Sequence, residues 1–143
     1  MKTQVFTAAL LLSALLACKS KHKVDGSVTV NGSPFVAETC GVATMNLNFN
    51  GVQSTTHSVT LTDAAGRRLS FSDSDGVAVG FNDGARTQLD AGRGCRSVRF
   101  VGSPSDPAKL KVHLDADCRG SGIETRAKAE ISGCGTFGAD LLP

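Results

Sequence analysis

The stretch Leu110-Lys111-Val112-His113-Leu114-Asp115-Ala116-Asp117-Cys118-Arg119-Gly120-Ser121-Gly122-Ile123-Glu124-Thr125-Arg126-Ala127-Lys128-Ala129-Glu130-Ile131 decides the fold class. Leu110, Val112, Leu114 and Ala116 alternate with Lys109, Lys111, His113, Asp115 and Asp117. Beyond the Gly/Ser stretch, Ile123, Ala127, Ala129 and Ile131 alternate with Glu124, Arg126, Lys128 and Glu130. A period of two places the apolar set on one side of a strand and the charged set on the other. Two such runs joined by Arg119-Gly120-Ser121-Gly122 predict an antiparallel hairpin. Closing it on that loop sets Asp115 opposite Arg126 and Lys111 opposite Glu130, pairs that favour the register. It also leaves Asp117 facing Glu124, a discordant pair beside a wet turn.

The same period recurs upstream, with turn residues between the runs. Val28 and Val30 lead into Asn31-Gly32, and a run from Val42 to Asn50 ends at Asn50-Gly51. In that run Met45, Leu47 and Phe49 point one way, and Thr44, Asn46, Asn48 and Asn50 the other. Val59 and Leu61, Leu69 and Phe71, then Val77, Val79 and Phe81 follow, punctuated by Ala65-Gly66, Asp75-Gly76 and Asp83-Gly84. Val98 and Phe100 precede the loop Gly102-Ser103-Pro104-Ser105-Asp106-Pro107. Short runs at this spacing predict an all-β fold, a single antiparallel β-sandwich of about eight to ten strands.

The first residues read differently. Lys2 precedes an apolar run from Val5 to Leu16, then Ala17 and Cys18. This has the form of a secretory signal peptide and is too short to span a bilayer as a helix, which takes roughly 20 apolar residues. Leu15 is large where ordinary signal cleavage takes a small residue. Leu15-Leu16-Ala17-Cys18 instead resembles the lipobox of bacterial lipoproteins. That resemblance implies removal of residues 1–17, a diacylglycerol on the Cys18 thiol, and a protein exported and lipid-anchored to the cell envelope. Residues 18–23 then form the lipidated cysteine and a basic tether containing Lys19, Lys21 and Lys23, and residues 24–143 form the domain. Lys19 rather than Asp after the cysteine implies the outer membrane in a Gram-negative cell.

Cysteine arithmetic agrees. The chain has five cysteines, and assigning Cys18 to lipid leaves Cys40, Cys95, Cys118 and Cys134, an even set suited to an oxidising compartment. The hairpin register puts Cys118 at its turn and Cys134 beyond the far end of the partner strand, about 30 Å away. A disulfide needs α-carbons within about 7 Å, so those two do not pair. Cys95 precedes a strand expected to hairpin onto residues 108–118, which brings it to Cys118 and leaves Cys40 for Cys134. The text from Val28 to Asn31-Gly32, through Cys40 and Asn46-Leu47-Asn48-Phe49 to Leu61-Thr62-Asp63, is similar to small surface lipoprotein antigens of mycobacteria. In those anchored all-β proteins a terminal cysteine pairs back to an early one, which suits Cys40–Cys134.

Composition narrows the function. Residues 24–143 carry 11 Lys and Arg against 13 Asp and Glu, a net charge of −2. That body lacks the basic face of a nucleic-acid binder. Tryptophan and tyrosine are absent, so only phenylalanine could stack on a base or sugar.

No residue set points to a metal, a cofactor or a catalytic centre. Asp73-Ser74-Asp75-Gly76 looks like part of a calcium loop, but Phe71 and Asn82 occupy two ligand places, and a hairpin turn explains the aspartates. His22, His57 and His113 are scattered, unlike zinc ligands. The serines lack a Gly-x-Ser-x-Gly elbow. Arg67, Arg68, Arg93, Arg96 and Arg99 read as solvated surface, with an anionic ligand as the lesser reading.

The sequence therefore predicts a non-enzymatic module held to the membrane through lipid on Cys18, contacting an envelope protein or polymer. The alternative is a carrier of a lipid or other hydrophobic ligand within the sandwich. An apolar strip of more than a few hundred Å² left open on a sheet face would favour the first. A cavity of roughly 300 Å³ or more would favour the second.

Overall fold

A computed structural model describes residues 22–74, 79–84, 87–90 (backbone only), 95–103, 105–106, 108–120 and 122–136. Residues 1–21, which include the expected signal peptide, Cys18, and Lys19 and Lys21 of the expected tether, lie outside the described residues, as do Asp75, Gly76, Val77, Arg93, Pro104 and Pro107.

Eleven strands are present among the described residues: β1 Lys23–Val30, β2 Ser33–Pro34, β3 Ala37–Phe49, β4 Val52–Asp63, β5 Arg68–Ser72, β6 Val79–Asn82, β7 Thr87–Asp90, β8 Arg96–Val101, β9 Lys111–Gly120, β10 Ile123–Ser132 and β11 Gly135–Thr136. The count passes the expected eight to ten because β2 and β11 are two-residue arms, too short to show a period. One sheet runs β2-β1-β10-β9-β8, the other β11-β3-β4-β5-β6-β7. All pairings are antiparallel except β11 with β3.

The two inner faces share one apolar core. The first sheet contributes Val28, Val30, Val112, Leu114, Ala116, Cys118, Ile123, Ala127 and Ile131. The second contributes Cys40, Val42, Val59, Leu61, Leu69, Phe71, Val79 and Phe81. Thr125 joins the first set, fully buried opposite Cys118. Gly26 lets β1 lie against β10, since a Cβ there would sit 2.1 Å from the Lys128 carbonyl oxygen.

The β9–β10 hairpin has the expected faces but a tighter turn. Gly120 pairs with Ile123 and Arg119 with Glu124, so Arg119 and Gly120 belong to β9 and not to the loop expected to start at Arg119. The register moves by two, which leaves every side chain on its face. Asp115 now faces Lys128, and Asp117 faces Arg126. Glu124 faces Arg119, so the Asp117–Glu124 apposition disappears. Arg126 reaches Glu124 at 2.7 Å and Asp117 at 3.5 Å. Lys111 stands opposite Ser132 but still reaches Glu130 diagonally, at 3.0 Å.

Cys118 remains at the turn end and Cys134 beyond Ser132. The structure pairs Cys95 with Cys118 and Cys40 with Cys134. The second link ties β3 in one sheet to the chain leaving β10 in the other. By loop-closure entropy the two crosslinks, at separations of 23 and 94 residues, stabilise by about 3 and about 5 kcal/mol.

One buried charge holds the β4–β5 turn. Asp63 accepts the N–H groups of Ala65 (3.0 Å) and Arg67 (2.9 Å) and the Arg67 Nε–H (2.6 Å). Burial pushes its carboxyl up, but the bonds from Arg67 and Ala65 together outweigh this and hold the pKa below its ordinary value. A lowered folded-state pKa gives stability that is present above the unfolded pKa and lost as pH falls through the folded one. Asp63→Asn should therefore cost about 1–3 kcal/mol at pH 7 in urea unfolding. The gap from wild type should close as pH falls below the ordinary carboxylate range; a gap constant to low pH would contradict this.

Candidate interaction surface

The pairing of β3 with β4 runs from Thr39–Thr62 to Phe49–Val52 without a register shift, but only its lower part lies in the sandwich. β5 pairs with β4 from Ser58 to Thr62, and β11 pairs with β3 at Gly41 and Val42. Beyond these, residues 43–57 form a two-stranded ribbon. Its end is a two-residue turn with Asn50 at φ 50° and Gly51 at φ 80°. Positive φ at both central positions matches the twist of paired strands, and Asn and Gly accept it most readily.

The apolar pattern changes phase where the ribbon leaves the core. On β3 the core-facing residues are Cys40 and Val42, both even-numbered. The next apolar residues, Met45, Leu47 and Phe49, are odd-numbered, so with register unbroken they occupy the outer face. They are 59%, 50% and 78% exposed, and Val52, opposite Phe49, is 69% exposed. The sequence reading placed these three on one side of a strand correctly; the structure puts that side in solvent. Asn46, Asn48, Gln53 and Thr55 lie on the other face, with Thr55 Oγ1–H donating to Asn46 Oδ1 at 2.9 Å.

The four apolar side chains present on the order of 400 Å² together, within the size range of patches that are often functional. No Asp, Glu, Lys or Arg occurs from residue 39 to residue 62. Natural proteins usually guard exposed strand edges with charge, proline, bulges or shortness. Here β2 is short and contains Pro34, and β8 carries Arg96 and Arg99. Among the described residues the ribbon has no such guard.

His57 closes the sandwich where the ribbon departs. Its ring lies 5.4 Å from that of Phe100, on the other sheet. Asp73 Oδ1 accepts the His57 backbone N–H at 2.8 Å, and Asp73 Oδ2 lies 3.0 Å from the ring Nδ1. The Asp73 N–H donates to the His57 carbonyl at 3.0 Å. Arg96 donates to the carbonyls of Ser72 and Ser74, holding the same loop. Asp73 is thus a latch on the base of the ribbon.

The remaining candidates are dispersed. His22 Nε2 lies 3.0 Å from the Ala37 carbonyl. His113 lies 3.3 Å from Glu130. Arg67 pairs with Asp63 and lies over the Phe35 ring, 5.9 Å from its centroid. Arg68 and Arg99 are exposed on different sheets. Among the described residues no group of three or more His, Cys, Asp or Glu is placed to hold a metal ion. The signal that marks the ribbon was present in the sequence, as the even-to-odd phase change after Val42 and the uncharged run around it.

Because the apolar side chains of the ribbon lie outside the core, Leu47→Ser with Phe49→Ser should change unfolding free energy by less than about 0.5 kcal/mol. Leu61→Ala, fully buried on the same pair of strands, should cost about 2–5 kcal/mol. Urea denaturation of the disulfide-intact protein distinguishes them, and a large loss in the ribbon variant would contradict this geometry. No protein-family model matches the chain, and neither the curated proteins nor the solved structures contain a match.

Proposed function

We propose that this chain is the precursor of an envelope lipoprotein, anchored by lipid on Cys18, whose β domain is a non-enzymatic module that presents the β3–β4 ribbon to other envelope components. The observation that carries this reading is the ribbon itself: an uncharged projection with Met45, Leu47, Phe49 and Val52 open on one face. Two disulfides suit an oxidising, extracytoplasmic compartment.

The tether and the ribbon tip lie far apart along the chain path. His22 contacts Ala37 at the start of β3. Four residues from Cys18 to His22 reach at most about 14 Å, whereas β3 runs about 41 Å from Ala37 to Phe49. Lipid on Cys18 would therefore hold the domain at the base of β3, leaving the ribbon to reach other molecules.

The carrier alternative gains less. A depression of about 320 Å³ exists, but it lies on the ribbon, lined by Asn46, Leu47, Asn48, Gln53, Ser54 and Thr55. Five of those six residues are polar, and the depression is not a chamber between the sheets.

The test uses the full chain in intact bacteria, with a photo-crosslinking residue at Phe49 or at the exposed Lys128. Crosslinking at position 49 to a discrete envelope component, absent at position 128, is the expected result. Equal capture at both positions, or none, contradicts the interaction reading. On the same material, the denatured mass should equal residues 18–143 plus acyl chains; a mass lacking lipid contradicts the anchor.

A further inference from the structure

The open edge of β3 carries a self-complementary pattern. From Thr44 to Asn50 the sequence reads Thr-Met-Asn-Leu-Asn-Phe-Asn. By chemical class this is the same in both directions about Leu47: apolar at 45, 47 and 49, amide at 46 and 48, polar at 44 and 50. An antiparallel strand pair related by a two-fold axis places residue i against a residue at equal distance on the other side of the centre. A pattern symmetric about one residue is what such pairing needs.

We propose that two copies of this chain pair antiparallel along the β3 edge, centred on Leu47, joining their ribbons into one four-stranded sheet. This rests on the reading of the ribbon as an interaction surface and names its first partner. Among the described residues no strand pairs with β3 on that side beyond Val42.

The parity fits. In a hairpin with a two-residue turn the flanking pair, here Phe49 and Val52, exchanges hydrogen bonds, and such pairs alternate along the strands. The backbone groups of Met45, Leu47 and Phe49 then face β4, and those of Thr44, Asn46 and Asn48 face the open edge. Centring on Leu47 sets Asn46 against Asn48 of the second copy, both with outward backbone groups, so the ladder closes. Leu47 meets Leu47 as a non-hydrogen-bonded pair, with α-carbons about 4.5 Å apart. Met45 meets Phe49 on the same face, and the Asn amides meet on the other.

The absence of charge removes the repulsion that normally keeps edges apart. With Asn50 in the turn, Met45 to Phe49 form the ladder on each copy, and five residues a side bury less than the roughly 1,000 Å² of a stable specific interface. Pairing is therefore weak in dilute solution and strengthened where lipid anchors hold both copies in one membrane at high effective concentration.

The experiment uses the full lipidated chain in its own membranes, mildly oxidised and read on a non-reducing gel. Leu47→Cys should give a disulfide-linked dimer at least about tenfold above Ser54→Cys, because position 54 lies on the outer strands, about 14 Å from its copy. Asn46→Asp with Asn48→Asp, added to Leu47→Cys, opposes like charges and should abolish the dimer. Asn46→Lys with Asn48→Asp opposes unlike charges in the same register and should restore it.

Equal cross-linking at 47 and 54, or a dimer unaffected by the paired aspartates, overturns the proposal. A dimer that forms only after residues 137–143 are deleted also overturns it, since that segment would then hold the edge. Should Leu47→Cys stay monomeric while a crosslinker at Phe49 still captures another envelope component, self-pairing fails and the interaction reading stands. With neither product, both fail.

Discussion

The unbroken pairing of β3 with β4 is the constraint on which the rest depends. At its lower end it carries Cys40, Val42, Val59 and Leu61 into the core, where all are buried. At its upper end the same register brings Met45, Leu47, Phe49 and Val52 to the outer surface. A bulge between Val42 and Met45 would have turned the second set inward, because one extra residue exchanges the two faces of a strand. None is present, and the only irregularity in this pairing lies at Ala37–Thr39. The fold therefore displays a row of apolar side chains that its sequence could have hidden by a single insertion.

An isolated two-stranded hairpin is marginally stable in water, so the ribbon depends on what grips its ends. At the tip, Asn50-Gly51 supplies the turn that matches strand twist. At the base, Asp73 binds both the backbone and the ring of His57, and Phe100 packs beside that ring. Below that latch, the Cys40–Cys134 link ties β3 to the chain leaving the other sheet. These contacts hold the ribbon at both ends, while its apolar side chains lie outside the core.

The β9–β10 region shows what is legible in sequence and what is not. Its period of two gave the strands, the buried face and both disulfide partners, because these depend only on alternation and on which strand ends meet. The turn length escaped, since Arg119 and Gly120 read equally as loop or strand until Glu124 and Arg126 show which charges they meet. The ribbon escaped for a different reason. Alternation identifies two faces of a strand but does not say which face the sheet turns inward; that is set by neighbours distant in sequence, here β5 and β11. An odd-numbered apolar run following an even-numbered one, with no charge nearby, was the available clue.

Met45 offers the most direct test of this geometry, being the only methionine after residue 1. Oxidation to the sulfoxide makes the side chain polar and disrupts a core when the residue is buried in one. In the dilute purified protein, hydrogen peroxide should oxidise Met45 at the rate of free methionine. The oxidised protein should keep its unfolding free energy to within about 0.5 kcal/mol. Protection of Met45 until the protein unfolds, or a marked loss of stability on its oxidation, would mean that the apolar row faces the core and that the displayed ribbon does not exist.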